Sequence, residues 1–341
     1  MSVDQLDTQG LGKYLAGRIE GFAGLQSAEK FVNGQSNPTF LLTTNGGKYV
    51  LRRKPPGRLL KSAHAVDREF RVISALADTD VPVAKAYHLC EDDSVIGSMF
   101  YIMSFVDGRI FWDPALPDIK NTDRAAIYEE MNRVLAALHS VDFSAVGLSD
   151  FGKPGSYFER QVGRWTKQYL AAETEVIEPM DMLIRWLPEH TPADDGQVAL
   201  VHGDYRLDNM IFHPTESRIL AIVDWELSTL GHPFADLAYQ CMQWRLPNAG
   251  ISRGLADMDR AALGIPTEPD YVERYCQRTG RDGIPDWTFC LAFSFFRLAA
   301  IVQGVLKRSL DGNASSARAT EIGKMARPLA EAAVELIDEA A

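Results

Sequence analysis

Apolar residues along the chain follow two rhythms. Short runs such as Phe40-Leu41-Leu42, Tyr49-Val50-Leu51 and Met99-Phe100-Tyr101-Ile102-Met103 alternate or are wholly apolar, and they read as strands. They crowd into the first third of the chain and into residues 198–223. Elsewhere apolar residues return every three or four positions. Ile127, Met131, Val134, Leu135 and Leu138 predict a helix over 123–140, opened by Thr122 or Asp123 as cap. Helices are also expected over 156–172, 179–187, 234–244, 270–279, 286–310 and 315–340, with a weaker amphipathic one within 3–20. The pattern predicts an α+β protein, with a strand-rich beginning and a largely helical remainder.

The strand-rich part has readable joints. Phe31-Val32 leads into a small polar turn over 33–39, and Asn45-Gly46-Gly47 is a hairpin signal because Asn-Gly accepts positive φ cheaply. On the strand that follows, Val50 and Arg52 share one face and Leu51 and Arg53 the other. Arg53 and Lys54 read as solvated charges, in preference to gates of a phosphate site. A helix over Ala63–Ala77 puts Val66, Phe70, Ile73 and Leu76 inward, and Glu69 is either a surface residue or a partner for Arg52. Strands over Ala86–Cys90 and Met99–Met103 then lead to Ser104-Phe105-Val106-Asp107-Gly108. This reads as a hinge whose backbone groups can hydrogen-bond a nucleobase.

Composition narrows the function classes. At 341 residues the chain outgrows one compact core, so one large or two unequal lobes are expected. A formal net charge of −11 speaks against a broad nucleic-acid or anionic-membrane footprint, though a local phosphate pocket stays open. Cys90, Cys241, Cys276 and Cys290 are scattered without a C-x-x-C and read as buried free thiols in a reducing compartment. No signal peptide is evident at the N-terminus, and a cytoplasmic location is expected. The apolar run Phe289–Leu306 carries Arg297 and Gln303 and reads as a buried helix rather than a membrane span. A lone charge there needs a partner, either within the structure or on a substrate.

Candidate chemistry concentrates in 198–238. The runs Val198–Val201 and Ile219–Val223 each deliver a carboxylate at or just past their end, Asp204 and Asp224. Such a residue is held at the rim of a rigid element. Asn209 follows Asp204 with the spacing D-x-x-x-x-N. An Asp to accept a proton, then an Asn and a second Asp to hold a metal, match the protein-kinase catalytic loop and metal-binding Asp. No P-loop and no G-x-G-x-x-G is present. Two charge clusters disagree about the substrate. Arg160, Arg164 and Lys167 share a helix face that would suit an anion or simply be solvated, whereas Glu173, Glu175, Glu178 and Asp181 would suit a cation.

The runs VHGDYRLDNMIFHP and ILAIVDWELSTLGHPFADLA resemble the aminoglycoside phosphotransferase superfamily of kinase-like small-molecule kinases. YVLRRKPPG, RIFWDP, YFERQVGRWTKQY and FSFFRLAAIVQGV resemble, more narrowly, the kinase-like domain fused to some acyl-CoA dehydrogenases. The resemblance implies a two-lobed protein-kinase-like fold, with a nucleotide lobe over 1–103 and a helical catalytic lobe over 104–341. It implies ATP and Mg²⁺ as cofactors. Asp204 would be the catalytic base, Arg206 a catalytic cation, and Asn209 and Asp224 the metal ligands. Arg52, Glu69, Ser36, Val50, Ser104 and Val106 would serve the nucleotide. His202 and Asp236 would brace the catalytic loop. Three departures stand out: Arg52 replaces the usual lysine, the first turn lacks a glycine-rich sequence, and Glu226 stands where protein kinases carry the glycine of D-F-G.

The implied activity is ATP- and Mg-dependent phosphorylation of a small-molecule hydroxyl, with a hydroxyacyl-CoA as the favoured acceptor. An aminoglycoside or amino-alcohol kinase is the nearest rival. A catalytically inactive nucleotide-binding module is the alternative from another class. A metal-dependent hydrolase leaves Asn209 unexplained and lacks H-E-x-x-H. No nucleic-acid or membrane partner is expected.

Overall fold

The computed structural model describes residues 6–31, 37–55, 65–250, 252–312 and 318–340. In chain order it begins with helix α1 (Thr8–Ala16), capped by Asp7, and strands β1 (Leu25–Lys30), β2 (Thr39–Thr44) and β3 (Gly47–Arg53). Helix α2 (Val66–Ala75) and strands β4 (Ala86–Cys90) and β5 (Phe100–Ser104) follow. Next come α3 (Asn121–His139), α4 (Tyr157–Ala172), α5 (Glu178–Glu189) and β6 (Ala199–Val201). The hairpin β7 (Met210–Phe212) and β8 (Ile219–Ile222) precedes β9 (Thr229–Gly231) and α6 (Phe234–Cys241). The chain closes with β10 (Asn248–Ala249), β11 (Ser252–Arg253), α7 (Arg260–Leu263), α8 (Glu268–Thr279), α9 (Trp287–Leu310), α10 (Ala319–Gly323) and α11 (Ala326–Ala340).

Contacts divide this chain into two compact units. The first holds Met1–Arg109, Val146–Leu148 and Met210–Leu227, and the second holds Ile110–Ala145, Ser149–Asn209 and Ser228–Ala341.

The first unit is built on an antiparallel sheet ordered β1-β2-β3-β5-β4. Strand alternation sorts its two faces. Phe40, Leu42, Tyr49, Leu51, Phe100 and Ile102 pack with Leu11, Leu15, Ile19 and Phe22 in a continuous apolar core. Each fully buried large side chain there contributes about 1.5–3 kcal/mol. Val50 and Arg52 turn to the opposite face. Arg53 corrects the solvated reading: it is 4 % exposed, lies 5.5 Å over the Phe40 ring and donates to Ile96 O. A long aliphatic stem allows a strand residue pointing inward to pack like an apolar one.

The β7–β8 hairpin joins this unit from far along the chain. Ile222 N donates to Pro82 O at 2.9 Å, and Arg109 exchanges backbone hydrogen bonds with Phe212, both 2.8 Å. Gly108 permits that approach, since a Cβ there would sit 2.3 Å from Phe212 O.

The second unit is helical around α9. The helix is long and apolar enough to cross a membrane by composition, yet 72 % of its most apolar window is buried. It packs against α4, α5, α6, α10 and α11, with Phe158 edge-on to Phe289 and Phe293 at 5.3 and 5.5 Å. A helix apolar on every side is stable in water only when neighbours cover it in this way. Helix α3 starts at Asn121 rather than being capped by Thr122 or Asp123. Asn121 spends its side chain on tertiary bonds to Ala262 O and Arg124. The expected final helix is divided, since Pro328 in the first turn of α11 cannot continue a preceding helix.

Candidate functional site

In the first unit the face that carries Arg52 meets α2. The helix period brings Glu69 to the same side as Val66, Val72 and Ile73, and Glu69 is 1 % exposed, so the surface reading does not hold. Arg52 Nε lies 2.7 Å from Glu69 Oε2 in an ion pair, and Nη2 donates to Asp224 Oδ1 at 2.6 Å. Glu226 Oε2 is 3.7 Å from the same nitrogen. Glu69 also accepts from Asn37 Nδ2 at 2.7 Å and from the Tyr101 hydroxyl at 3.2 Å.

The electrostatics of this cluster are lopsided. Burial pushes the Glu69 carboxyl above its ordinary pKa, and Arg52 offsets only part of that. Burial alone would lower the Arg52 pKa, but the Glu69 and Asp224 carboxylates hold it above its usual value. Three carboxylates thus share one guanidinium. Asp224 is the open member, with its side chain 34 % exposed, and it adopts φ 68°, a left-handed conformation that a non-glycine residue rarely holds without a local reason.

In the second unit β6 pairs antiparallel with β9, and the loop after β6 carries His202, Gly203 and Asp204. Both oxygens of Asp236, at the start of α6, accept backbone N–H groups of that loop, from His202 at 2.6 Å and Gly203 at 2.8 Å. His139, at the end of α3, places Nε2 3.4 Å from the same carboxylate and Nδ1 2.7 Å from the Tyr275 hydroxyl. Burial would raise the Asp236 pKa, but the bonds from His139 and Gly203 hold it below the usual carboxylate value. Gly203 supplies the positive φ, 83°, that the turn demands.

The loop so fixed presents Asp204. Its Oδ1 accepts from the Tyr239 hydroxyl at 2.7 Å and its Oδ2 from Asn209 Nδ2 at 2.8 Å. Arg206 Nε is 3.2 Å away, and His202 Nδ1 accepts from Asp204 N at 3.2 Å. Burial again opposes ionisation, and Arg206, Tyr239, His202 and Asn209 together hold the carboxyl below its ordinary pKa. Asn209 also donates to Asp204 O at 2.9 Å, so its amide nitrogen is spent and its Oδ1 is left as an acceptor. Carboxylate and amide oxygens, such as those of Asp224 and Glu226 in the first unit and of Asn209 in the second, are hard donors of the kind that a Mg²⁺ ion takes.

Every predicted residue but Ser36 lies among the described residues. Arg52, Glu69 and Asp224 come together in the first unit, and Asp204, Arg206 and Asn209 in the second. Val50 is buried on β3, and Val106 is half-buried beyond β5. Ser104 donates its N–H to Lys85 O at 2.8 Å and accepts Lys85 N on its hydroxyl at 3.0 Å. Ser36 lies outside the described residues. Sequence reasoning missed Tyr239, His139, Tyr275, Asn37 and Tyr101. Tyr239 alone carried a local signal, three residues after Asp236 on a predicted helix and so on its side. The others reach the site through long-range packing.

Comparison with known proteins shows the family and the fold. The family model described as "Phosphotransferase enzyme family" matches residues 27–288. Acyl-CoA dehydrogenase family member 10 of Mus musculus is 51 % identical over 325 residues, covering 95 % of this chain and 30 % of the relative. Probable acyl-CoA dehydrogenase IBR3 of Arabidopsis thaliana is 44 % identical, covering 98 % of this chain and 43 % of the relative. The chain thus spans less than half the length of these curated relatives. A crystal structure from Ralstonia eutropha JMP134, provisionally described as an aminoglycoside phosphotransferase, is 56 % identical with a TM-score of 0.89, covering 98 % of this chain and 99 % of that one. The aminoglycoside phosphotransferase APH(4)-Ia in complex with ADP and hygromycin B shares the fold at 15 % identity, with a TM-score of 0.62 and coverage of 96 % and 98 %.

Proposed function

From the premise that the chain belongs to the phosphotransferase enzyme family, we propose that it transfers the γ-phosphoryl group of ATP to the hydroxyl of a hydroxyacyl-CoA. The chain is a small-molecule phosphotransferase with an alcohol group as acceptor. The finer reading adds the nucleotide, the metal, the residue roles and the acceptor. The observation that carries it is the setting of Asp204. The Tyr239 hydroxyl and the Asn209 amide each hold one of its oxygens, and with Arg206 beside it the carboxyl stays ionised at neutral pH despite burial, as a group must that orients and finally accepts a hydroxyl proton.

Arg206, half-exposed beside Asp204, offsets charge on the transferring group. Asn209 offers Oδ1, and Asp224 and Glu226 offer carboxylates, to Mg²⁺, which when bound neutralises charge on the phosphates. Arg52, oriented by Glu69, is the cation for the nucleotide phosphates. Residues 104–108 are the hinge that meets the base, through groups other than the Ser104 N–H that Lys85 engages. The acyl-CoA acceptor draws support from the names of the longer relatives.

ADP release from Mg-ATP, screened against hydroxyacyl-CoAs, aminoglycosides and amino alcohols, tests the reading. Acceptor-dependent release with a hydroxyacyl-CoA, lost in Asp204→Ala, is the expected result. Release with aminoglycosides alone would replace the acceptor. Thermal stabilisation by Mg-ATP with no release from any acceptor would make the chain a nucleotide-binding module.

A further inference from the structure

Arg297 is a buried charge with no counter-ion in contact. It sits midway along α9 and is 5 % exposed. Its Nη2 donates to Gly203 O, and its guanidinium faces the rings of Trp165 and Tyr239, 5.6 and 5.4 Å from their centroids. Among the described residues no carboxylate oxygen comes within 4.0 Å of it, and its Nε and Nη1 make no hydrogen bond. Asp236, the carboxylate braced under the same loop, is already engaged by two backbone N–H groups and His139.

Bracing Gly203 does not require this residue. One N–H suffices for a carbonyl, and a neutral amide would supply it without a buried charge. A guanidinium kept in a nearly dry place with most of its donors unused is poised for an anion from outside the chain. The surroundings agree in sign. The Arg164 guanidinium lies 5.4 Å over Trp165, the ring that Arg297 also faces, and the half-exposed Arg206 pairs with Asp204. Tyr239 joins the two features, since its ring faces Arg297 and its hydroxyl binds Asp204. A cationic acceptor would be repelled here.

We propose that Arg297 binds a negatively charged group of the acceptor, a carboxylate or a phosphate, with Arg164 at the rim. This rests on the phosphotransferase reading and names what its acceptor must carry. It sets this chain apart from kinases of polycationic antibiotics.

The test uses calorimetric binding to the full chain without nucleotide, with three probes: 3-hydroxybutyrate, its CoA thioester and its pantetheine thioester. The first carries a carboxylate, the second phosphates and the third neither. Wild type is expected to bind one of the anionic probes at least about tenfold more tightly than the neutral one, as a charge-assisted bidentate contact would give. Which of the two is preferred separates carboxylate from phosphate. In Arg297→Gln the preference is expected to fall to within about twofold, while Arg297→Lys keeps a part of it. No preference in wild type, or an undiminished one in a folded Arg297→Gln, overturns the proposal. Should the glutamine variant not fold, Arg297→Lys decides, since it must weaken the anionic probe and spare the neutral one. Uniform weakening of all three probes would reduce Arg297 to a brace for the loop. Because no turnover is involved, failure of the phosphotransferase reading would appear separately, as absent ADP release with binding intact.

Discussion

The two units hold their polar clusters by opposite means. Around Arg52, three carboxylates surround one cation, one of them is a third exposed, and Asp224 sits in a strained backbone conformation. Around Asp204 and Asp236, hydroxyl, amide and backbone donors hold each carboxylate oxygen, and the Arg206 guanidinium serves Asp204 and Asp208 rather than three carboxylates. The first cluster is short of positive charge and suited to gaining it from a ligand. The second is complete and rigid, so that its geometry is set before any ligand arrives. Glu69 is displaced upward in pKa and Asp236 downward for the same reason, since burial wins where one shared guanidinium must serve several carboxylates and loses where local donors are plentiful.

Four experiments press on this contrast. The largest effect is expected for Asp204→Ala, about a thousandfold loss of turnover with ATP affinity nearly unchanged, by coupled ADP assay and calorimetry. Equal losses in both would mean that Asp204 holds structure rather than orienting the hydroxyl. Arg52→Met leaves Glu69 buried without its cation and should cost about 3 kcal/mol of unfolding free energy in denaturant titration. A change under about 1 kcal/mol would show the cluster to be wetter than its burial suggests.

Asp224→Asn should weaken Mg-ATP binding about thirtyfold while leaving binding of metal-free ATP close to wild type. Loss of both would remove the distinction between metal and nucleotide contacts. The smallest effect is in pH. The depressed Asp236 carboxyl contributes stability that is complete above an unfolded pKa of about 3.9 and is lost as pH falls through its folded value. The raised Glu69 carboxyl works the other way, its contribution declining as pH rises from about 4.3 through its folded value. Thermal melts between pH 3 and 7 should therefore show Asp236→Asn flattening the acid limb and Glu69→Gln flattening the segment above it. Identical profiles for the two variants would dissolve the difference between the units.

The molecule was legible where information is local. Periodicity located the longer helices from 121 to 310 to within a few residues, though not the single turn α7, and the Asn45-Gly46-Gly47 signal located the β2–β3 hairpin, where Gly47 rather than Asn45 or Gly46 takes the positive φ, 140°. The short-range Asp204–Asn209 pairing follows from spacing, and the Arg52–Glu69 pair was foreseeable from one strand face and one helix face. Long-range geometry was not legible. Nothing near Arg53 announces Phe40 as its cover, and nothing near His139 announces Asp236 or Tyr275. Residues 210–227 join the first unit through Pro82 and Arg109, which sequence order conceals.

What the sequence determined by itself about 198–238 was the order of its groups: carboxylate, amide, carboxylate. Tertiary structure decided their states. It set Asp204 between Tyr239 and Asn209, put Arg52 against Asp224, and left Arg297 with a backbone carbonyl and two rings instead of a carboxylate. The reason is physical. Order along a chain is covalent, whereas the charge and orientation of a buried group depend on every dipole packed around it, and those come from elements that meet only when the chain folds.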